Sequence, residues 1–152
     1  MAFHLLKSSI VEGVKDFYTD GFDGSKALIS DNYEKDVLSK SRHKFEASLL
    51  FLVETESITE KDAQEIQKLR EFRNQLAHDI PSSIYQEESL IDSNKIEKAG
   101  YYLNKIDNFW GQVEVDINPD FKSQEVDYNG IKSLRSMVFD HISEVVRENN
   151  NS

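Results

Sequence analysis

Cysteine is absent from this chain, and proline and glycine are scarce, with two and six residues among 152. Without thiols the protein can form neither a disulfide framework nor a thiolate metal site, which is typical of cytoplasmic proteins. Because proline and glycine are the strongest helix breakers, their scarcity favours long helices over many short strands. No apolar run approaches the roughly 20 residues of a membrane-spanning helix. We therefore expect an all-α, cytoplasmic protein that does not cross a membrane.

Positive charge is also in short supply. Eighteen Lys and Arg residues stand against 28 Asp and Glu residues, and the formal net charge is -10. This charge opposes broad contact with the phosphates of nucleic acid. The 38% of hydrophobic residues suffices for one core, so we expect a single domain over residues 1–148 and a frayed tail over residues 149–152. Residues 1–14 are too interrupted by polar side chains for a signal peptide, and a helix is expected there.

Apolar residues that recur three and four positions apart predict a bundle of about five helices. The first helix ends at a glycine-containing turn over residues 19–24. The second opens at Asp31, whose side chain can cap the helix while Glu34 reaches back to it. It is expected to continue to Val53 with a kink near Lys40.

The third helix has clear start and stop signals. Thr59 is a preferred N-cap residue, Asp62 follows three positions later, and Pro81 ends the helix. Only residues 55–58 separate this helix from the second one. The two should therefore pack as an antiparallel hairpin at the centre of the bundle.

A polar loop over residues 81–92 leads to the fourth helix, and a turn at Asn118–Pro119 leads to the fifth. Each of these helices carries one regular apolar stripe that should face the core. The stripes are Ile96, Ala99, Leu103, Ile106, Trp110 and Val113 in the fourth helix, and Ile131, Leu134, Val138, Ile142 and Val145 in the fifth.

The hairpin geometry predicts a basic patch beside Arg73. With the turn centred near Ser57, Arg73 lies level with Ser41, give or take one helical turn. The basic residues thereby brought together are Lys40, Arg42, His43 and Lys44, with Arg70 one turn before Arg73. They form either a local positive patch that accepts an anionic group or an ordinary solvated helix face.

The stretch from Leu69 to Asp79 is the one segment with a chemical character. At about 100° per residue, Arg73 falls within the apolar stripe of Ile66, Leu69, Leu76 and Ala77, so it is expected to point inward. A buried guanidinium needs a partner, which is either a carboxylate of another helix or a bound ligand. Asn74 and His78 share a neighbouring face, where His78 is either a helix cap or a proton donor and acceptor.

Arg73 and His78, with four residues between them and Asn74 directly after the arginine, resemble the defining motif of the HEPN superfamily of small helical domains. The similarity extends without a gap from Phe45 to His78, and it is closest to the mannitol operon repressor (MtlR)-like branch. About thirty-four residues are covered. The resemblance implies a helical bundle that forms a homodimer.

Two functions follow from this resemblance. Many HEPN domains are metal-independent endoribonucleases in which two subunits bring their Arg and His residues together. Here Arg73 would clamp the phosphate, His78 would act as acid or base, and Asn74 would orient them. The basic residues Lys40, Arg42, His43, Lys44 and Arg70 would bind the RNA. MtlR-like members are instead regulators that act through other proteins.

Three features favour the regulatory function in transcription or stress. The net charge is -10, Ile80 stands where many toxin-type HEPN proteins have Tyr, and Arg73 is expected to be buried. The intact Arg73, Asn74 and His78 motif keeps the endoribonuclease as the alternative. No short helix with exposed Arg, Asn and Gln suggests direct DNA binding.

Metal and cofactor sites are not indicated. The four histidines, His4, His43, His78 and His141, are too scattered to form a zinc motif. The chain also contains neither a glycine-rich phosphate loop nor the Gly-x-Ser-x-Gly pattern of hydrolases. We therefore expect no metal and no cofactor.

Overall fold

The computed structural model describes residues 2–79 and 93–151, and these residues are mostly helical. The helices are α1 (Ala2–Phe17), α2 (Asn32–Asp36), α3 (Lys44–Glu54), α4 (Glu60–Asp79), α5 (Ser93–Ile117) and α6 (Leu134–Asn150). Two strands, β1 (Thr19–Asp23) and β2 (Lys26–Ile29), form a small sheet, and short 3₁₀ turns lie at Leu38–Lys40, Pro119–Phe121 and Tyr128–Gly130. The expected helical class is confirmed with one addition, the sheet. No described helix is both long and apolar enough to cross a bilayer.

A β-hairpin replaces the simple turn that the sequence predicts after α1. β1 and β2 are antiparallel, with Phe22 opposite Ala27 and Asp23 opposite Lys26. Gly24 lies in the connecting turn at a φ of 63°, a left-handed conformation that glycine adopts without strain. The sequence pattern does not predict these strands, because their apolar residues are few and do not alternate regularly.

The second predicted helix is in fact two. α2 ends at Asp36, the chain passes through the 3₁₀ turn at Leu38–Lys40, and α3 begins only at Lys44. Ser41 stabilises this break because its hydroxyl accepts a hydrogen bond from the His43 N–H at 3.2 Å and donates one to Glu46 Oε2 at 2.8 Å. The predicted start at Asp31 is confirmed, because Asp31 is the N-cap residue of α2, but the predicted side-chain cap is wrong, since the Asp31 carboxylate accepts no hydrogen bond from the first turn.

The start of α4 is confirmed in atomic detail. The Thr59 N–H donates to Asp62 Oδ2 at 2.9 Å, and the Asp62 N–H donates to Thr59 Oγ1 at 3.1 Å. This reciprocal pair satisfies N–H groups that the first helical turn would leave unpaired. α4 is described as far as Asp79, so the predicted stop at Pro81 and the loop to residue 92 lie outside the described residues.

The core lies between α1, α3, α4 and α5. Its largest fully buried apolar side chains are Leu6, Ile10, Val14, Val37, Leu49, Leu52, Ile66, Leu103 and Ile106. The predicted stripe of α5 is confirmed at Ala99, Leu103 and Ile106, which are buried. Trp110 continues it at the contact with α1, where its indole N–H donates to the Ser9 carbonyl oxygen at 3.1 Å. A Cβ on Gly13 would lie 2.3 Å from that indole nitrogen, so the close approach of α1 and α5 requires glycine there.

The predicted stripe of the last helix is wrong at three of its five positions. Leu134 is 77% exposed, and Val138 and Val145 are also exposed, whereas Ser136 and Phe139 are buried. The reason is a buried carboxylate on α5. Asp107 accepts hydrogen bonds from the hydroxyls of Ser9, Ser133 and Ser136, which turns the serine face of α6 inward. α6 continues to Asn150, into the segment expected to fray.

Candidate functional site

A groove of about 580 Å³ lies where α1 crosses the α3–α4 hairpin. Three elements line it. α1 provides Phe3, His4, Lys7, Val11 and Glu12; the start of α3 and the two residues before it provide Arg42, His43, Lys44 and Phe45; and α4 provides Arg70, Arg73 and Asn74. We call this surface the basic groove. Most of the residues that the sequence predicted to bind phosphate therefore lie together.

Positive charge is concentrated in the basic groove. Its five permanent cations are Lys7, Arg42, Lys44, Arg70 and Arg73, and its lining includes one carboxylate, that of Glu12. Within residues 2–79 and 93–151, none of the five forms an ion pair with a carboxylate. A local positive potential thus exists on a protein whose net charge is -10.

Arg73 is exposed, contrary to the prediction that it points inward. The buried line of α4 includes Ile66 and Leu69, but Leu76 is only half-buried and Ala77 is exposed. The last turns of α4 therefore extend past the edge of the core, and Arg73 lies beyond that edge. Its Nη1 donates to the Asn74 side-chain oxygen at 3.3 Å, so Asn74 contacts the guanidinium directly.

Arg70 is held in place by aromatic side chains. Its Cζ atom lies 5.1 Å from the centre of the Phe45 ring, within the range of a cation–π contact. The Phe45 ring in turn packs against Phe3 at a centroid distance of 6.0 Å. This stack joins all three lining elements and holds the charge of Arg70 at the groove, where no carboxylate of the described residues pairs with it.

Two of the predicted site residues do not line the basic groove. Lys40 forms an ion pair with Glu54, the last residue of α3. Because the groove lies at the first residues of α3, Lys40 is at the opposite end of that helix. His78 is exposed and lies one turn beyond Asn74 on α4, on the same side of the helix as Asn74 but outside the groove lining.

His4 and Lys7 of α1 belong to the basic groove and were not among the predicted site residues. They lie three positions apart, so both fall on one side of α1, next to the apolar stripe that contains Leu6 and Ile10. That spacing is a detectable signal in the sequence. The packing of this side of α1 against the hairpin is a tertiary contact that no local pattern specifies.

The groove is suited to an oxyanion and not to a cation. Across the described ranges, no group of three or more His, Cys, Asp or Glu residues is placed to hold a metal ion. The N-terminus of α3 also opens at the groove, and its His43 cap residue makes no side-chain hydrogen bond to the first turn. N–H groups at a helix N-terminus and guanidinium groups both bind phosphate oxygens.

No family model, no curated protein and no solved structure matches this chain. The chemistry of the basic groove and the motif from Arg73 to His78 are therefore the basis for a functional proposal.

Proposed function

We propose that the basic groove binds the phosphodiester backbone of single-stranded RNA and that the protein is a HEPN-like, metal-independent endoribonuclease. The supporting observation is the set of five lysine and arginine side chains in one groove of an acidic protein, none of them paired with a carboxylate of residues 2–79 or 93–151. Cations that repel one another at close range favour binding of an anion. A chain of phosphates offers several negative charges in a row, which matches a set of five cations better than a single phosphate does.

Arg73, Asn74 and His78 have distinct tasks in this proposal. Arg73 binds a phosphate oxygen and stabilises the charge that develops in the transition state. Asn74 holds the guanidinium through the contact at 3.3 Å. His78 transfers protons: the RNA 2′-oxygen attacks the adjacent phosphorus, the bond to the 5′-oxygen breaks, and a 2′,3′-cyclic phosphate and a 5′-hydroxyl result. The proton lost by the 2′-hydroxyl is balanced by the one that the 5′-oxygen gains.

The exposure of Arg73 removes one argument for the regulator and so favours the endoribonuclease. Burial of this arginine was one of the three features that favoured a regulator, and Arg73 is exposed instead. The overall charge of -10 is also a weaker argument against RNA binding, because an RNA strand in the basic groove would lie closest to the cations of the groove and more distant charges are screened. The third feature, Ile80, lies outside the described residues and remains an observation on the sequence alone.

The test is binding and cleavage of a fluorescent single-stranded RNA in the presence of a chelator. Arg73→Ala should weaken binding about tenfold, the loss of one charge-assisted contact, and abolish cleavage. His78→Ala should abolish cleavage while leaving the Kd within about twofold. Lys122→Ala is the matched control, because Lys122 is an exposed cation outside the basic groove and should change neither quantity.

Two outcomes would contradict the endoribonuclease. One is equal cleavage by the wild type and His78→Ala. The other is a monomer by light scattering at micromolar concentration, because the resemblance requires the Arg and His residues of two subunits to meet. RNA binding unaffected by Arg73→Ala would contradict the groove itself as the binding site.

A non-catalytic regulator that acts through protein partners is the second candidate, and the position of His78 favours it. The groove contains arginine and lysine side chains, but His78, the acid or base of the proposed reaction, does not line it. Within one subunit the groove can therefore hold a phosphate without transferring a proton at His78. A dimer that cleaves no RNA would select this candidate over the endoribonuclease.

A further inference from the structure

A second groove, of about 500 Å³, lies between α3 and α4 and is lined by a different set of residues from the basic groove. On α3 its lining residues are Glu46, Leu49, Leu50 and Val53, which are spaced three and four apart and so form one face. On α4 its lining runs from Glu60 to Glu71. We call it the acidic groove.

The floor of the acidic groove is apolar. Leu49 is buried beneath it, Val53 and Ala63 are half-buried, and Leu50 is 44% exposed. A leucine exposed to that extent between two helices leaves apolar surface that another apolar side chain can cover.

The rim of the acidic groove is negative. Glu46, Glu60 and Glu71 lie along it, and Lys68 is the one cation in its lining. Lys68 is already paired with Glu65, with 2.8 Å between its Nζ and the carboxylate oxygen. Lining residues of this kind select a partner with apolar residues in the middle and cations at the edges.

We propose that the acidic groove binds an amphipathic helix of another protein that carries lysine or arginine on both sides of an apolar stripe. Glu60 and Glu71 are eleven residues apart, which corresponds to roughly 16 Å of helix and three turns of a docked helix. Two adjacent helices with an apolar groove between them are the usual receptor for a third helix. This proposal does not depend on RNA binding or cleavage.

A second copy of this chain fits the acidic groove less well than a basic partner. Leu134, Met137 and Val138 on α6 form an exposed apolar surface among the described residues, and they belong to a chain with ten more negative than positive charges. The same α6 carries three carboxylates, those of Asp140, Glu144 and Glu148, against two arginines, Arg135 and Arg147. These carboxylates would meet those of the rim, and like charges at close range repel.

The experiment uses the full chain and a synthetic 14-residue peptide with leucines on one helical face and lysines beside them. Isothermal titration calorimetry gives the Kd. Leu50→Lys should weaken binding at least tenfold, since it places a cation at the apolar floor, and Glu71→Lys should weaken it about threefold. Leu134→Lys is the matched control, because it changes an exposed leucine on α6 in the same way and should leave the Kd unchanged.

A second peptide separates a specific groove from general attraction to an acidic protein. It has the same composition in an order that gives no apolar face, and it should bind at least tenfold more weakly. Equal binding of both peptides, or an equal effect of Leu50→Lys and Leu134→Lys, would overturn the proposal. So would a wild-type dimer that becomes a monomer in Leu50→Lys, because a second copy would then occupy the groove. If Leu50→Lys does not give the wild-type circular dichroism spectrum, Leu50→Gln replaces it with the same expected direction.

Discussion

Asp62 serves two purposes through one carboxylate. It accepts the Thr59 N–H at the start of α4, and it pairs with Lys105 of α5, with 2.6 Å between the Lys105 Nζ and the Asp62 Oδ2. Partial burial alone would raise the pKa of Asp62, but the bonds from Lys105 and Thr59 outweigh that effect and lower the pKa below its ordinary value of 3.8. The charged form of Asp62 therefore stabilises the folded state.

We predict that Asp62→Asn lowers the free energy of unfolding by about 1 kcal/mol near neutral pH. Asparagine keeps an oxygen for the Thr59 N–H, so the substitution removes mainly the charge. Because the folded-state pKa is lowered, the wild-type advantage is complete above about pH 4 and is lost as the pH falls through the folded-state pKa. Urea unfolding at about pH 7 and about pH 2.5 measures this difference.

Glu60→Gln is the control for Asp62→Asn. Glu60 lies in the same first turn of α4, is exposed, and has no ion pair within the described ranges. Its removal should change stability by less than about 0.5 kcal/mol. A loss in Asp62→Asn that is equally large at both pH values would show that packing, and not charge, is responsible.

The same residue scale shows what the sequence could and could not predict. The contact between Thr59 and Asp62 was predictable because both partners lie within one helical turn, where spacing determines distance. The environment of Arg73 was not, because it depends on where the core ends. The helical wheel extends the stripe of Leu69 through Arg73, whereas the neighbouring elements cover α4 only up to about Leu69.

At the scale of elements, α5 and α6 show why periodicity identifies a helix more reliably than it identifies the buried face. Both helices were expected from regular apolar spacing, and both exist. The buried face of α5 was correct because its apolar stripe meets an apolar partner in α1. The buried face of α6 was wrong because the hydroxyls of Ser133 and Ser136 bind the Asp107 carboxylate, a contact between residues far apart in the sequence.

The apolar pattern of α6 predicts that Leu134 contributes more to stability than Phe139, and from the structure we predict the reverse. Phe139→Ala should lower the free energy of unfolding by about 3–5 kcal/mol, because Phe139 is buried and packs directly over Gly100. Leu134→Ala should change it by less than about 0.5 kcal/mol, because Leu134 is exposed. Chemical denaturation of both variants tests which face of α6 is buried. A larger loss of stability in Leu134→Ala than in Phe139→Ala would show that the opposite face is buried.

At the scale of the whole molecule, net charge and local charge point in opposite directions. The protein has a formal charge of -10, yet five cations from three elements meet in the basic groove. The composition alone argues against RNA binding. The hairpin geometry, without any contribution from α1, predicts that Arg42, His43 and Lys44 lie beside Arg73. Lys7 completes the groove from a helix whose docking partner could not be predicted.

The proposed RNA binding should therefore depend steeply on salt. If all five cations neutralise phosphates, the logarithm of the association constant should fall with the logarithm of salt concentration at a slope of about -3.5. Lys7→Ala and Arg42→Ala should each reduce the magnitude of that slope by about 0.7, whereas Lys122→Ala should leave it unchanged. Fluorescence anisotropy over a series of salt concentrations measures it, and affinity that is independent of salt would exclude a phosphate-based contact.

Trp110, the one tryptophan of the chain, gives the molecule a built-in optical reporter. Its indole is in contact with Gly13 and hydrogen-bonded to Ser9, and it lines neither the basic nor the acidic groove. Its emission should thus follow the separation of α1 from α5 during unfolding, and it should stay constant when either groove is filled. A single fluorescence trace can therefore distinguish a variant that has lost a ligand from one that has lost its structure.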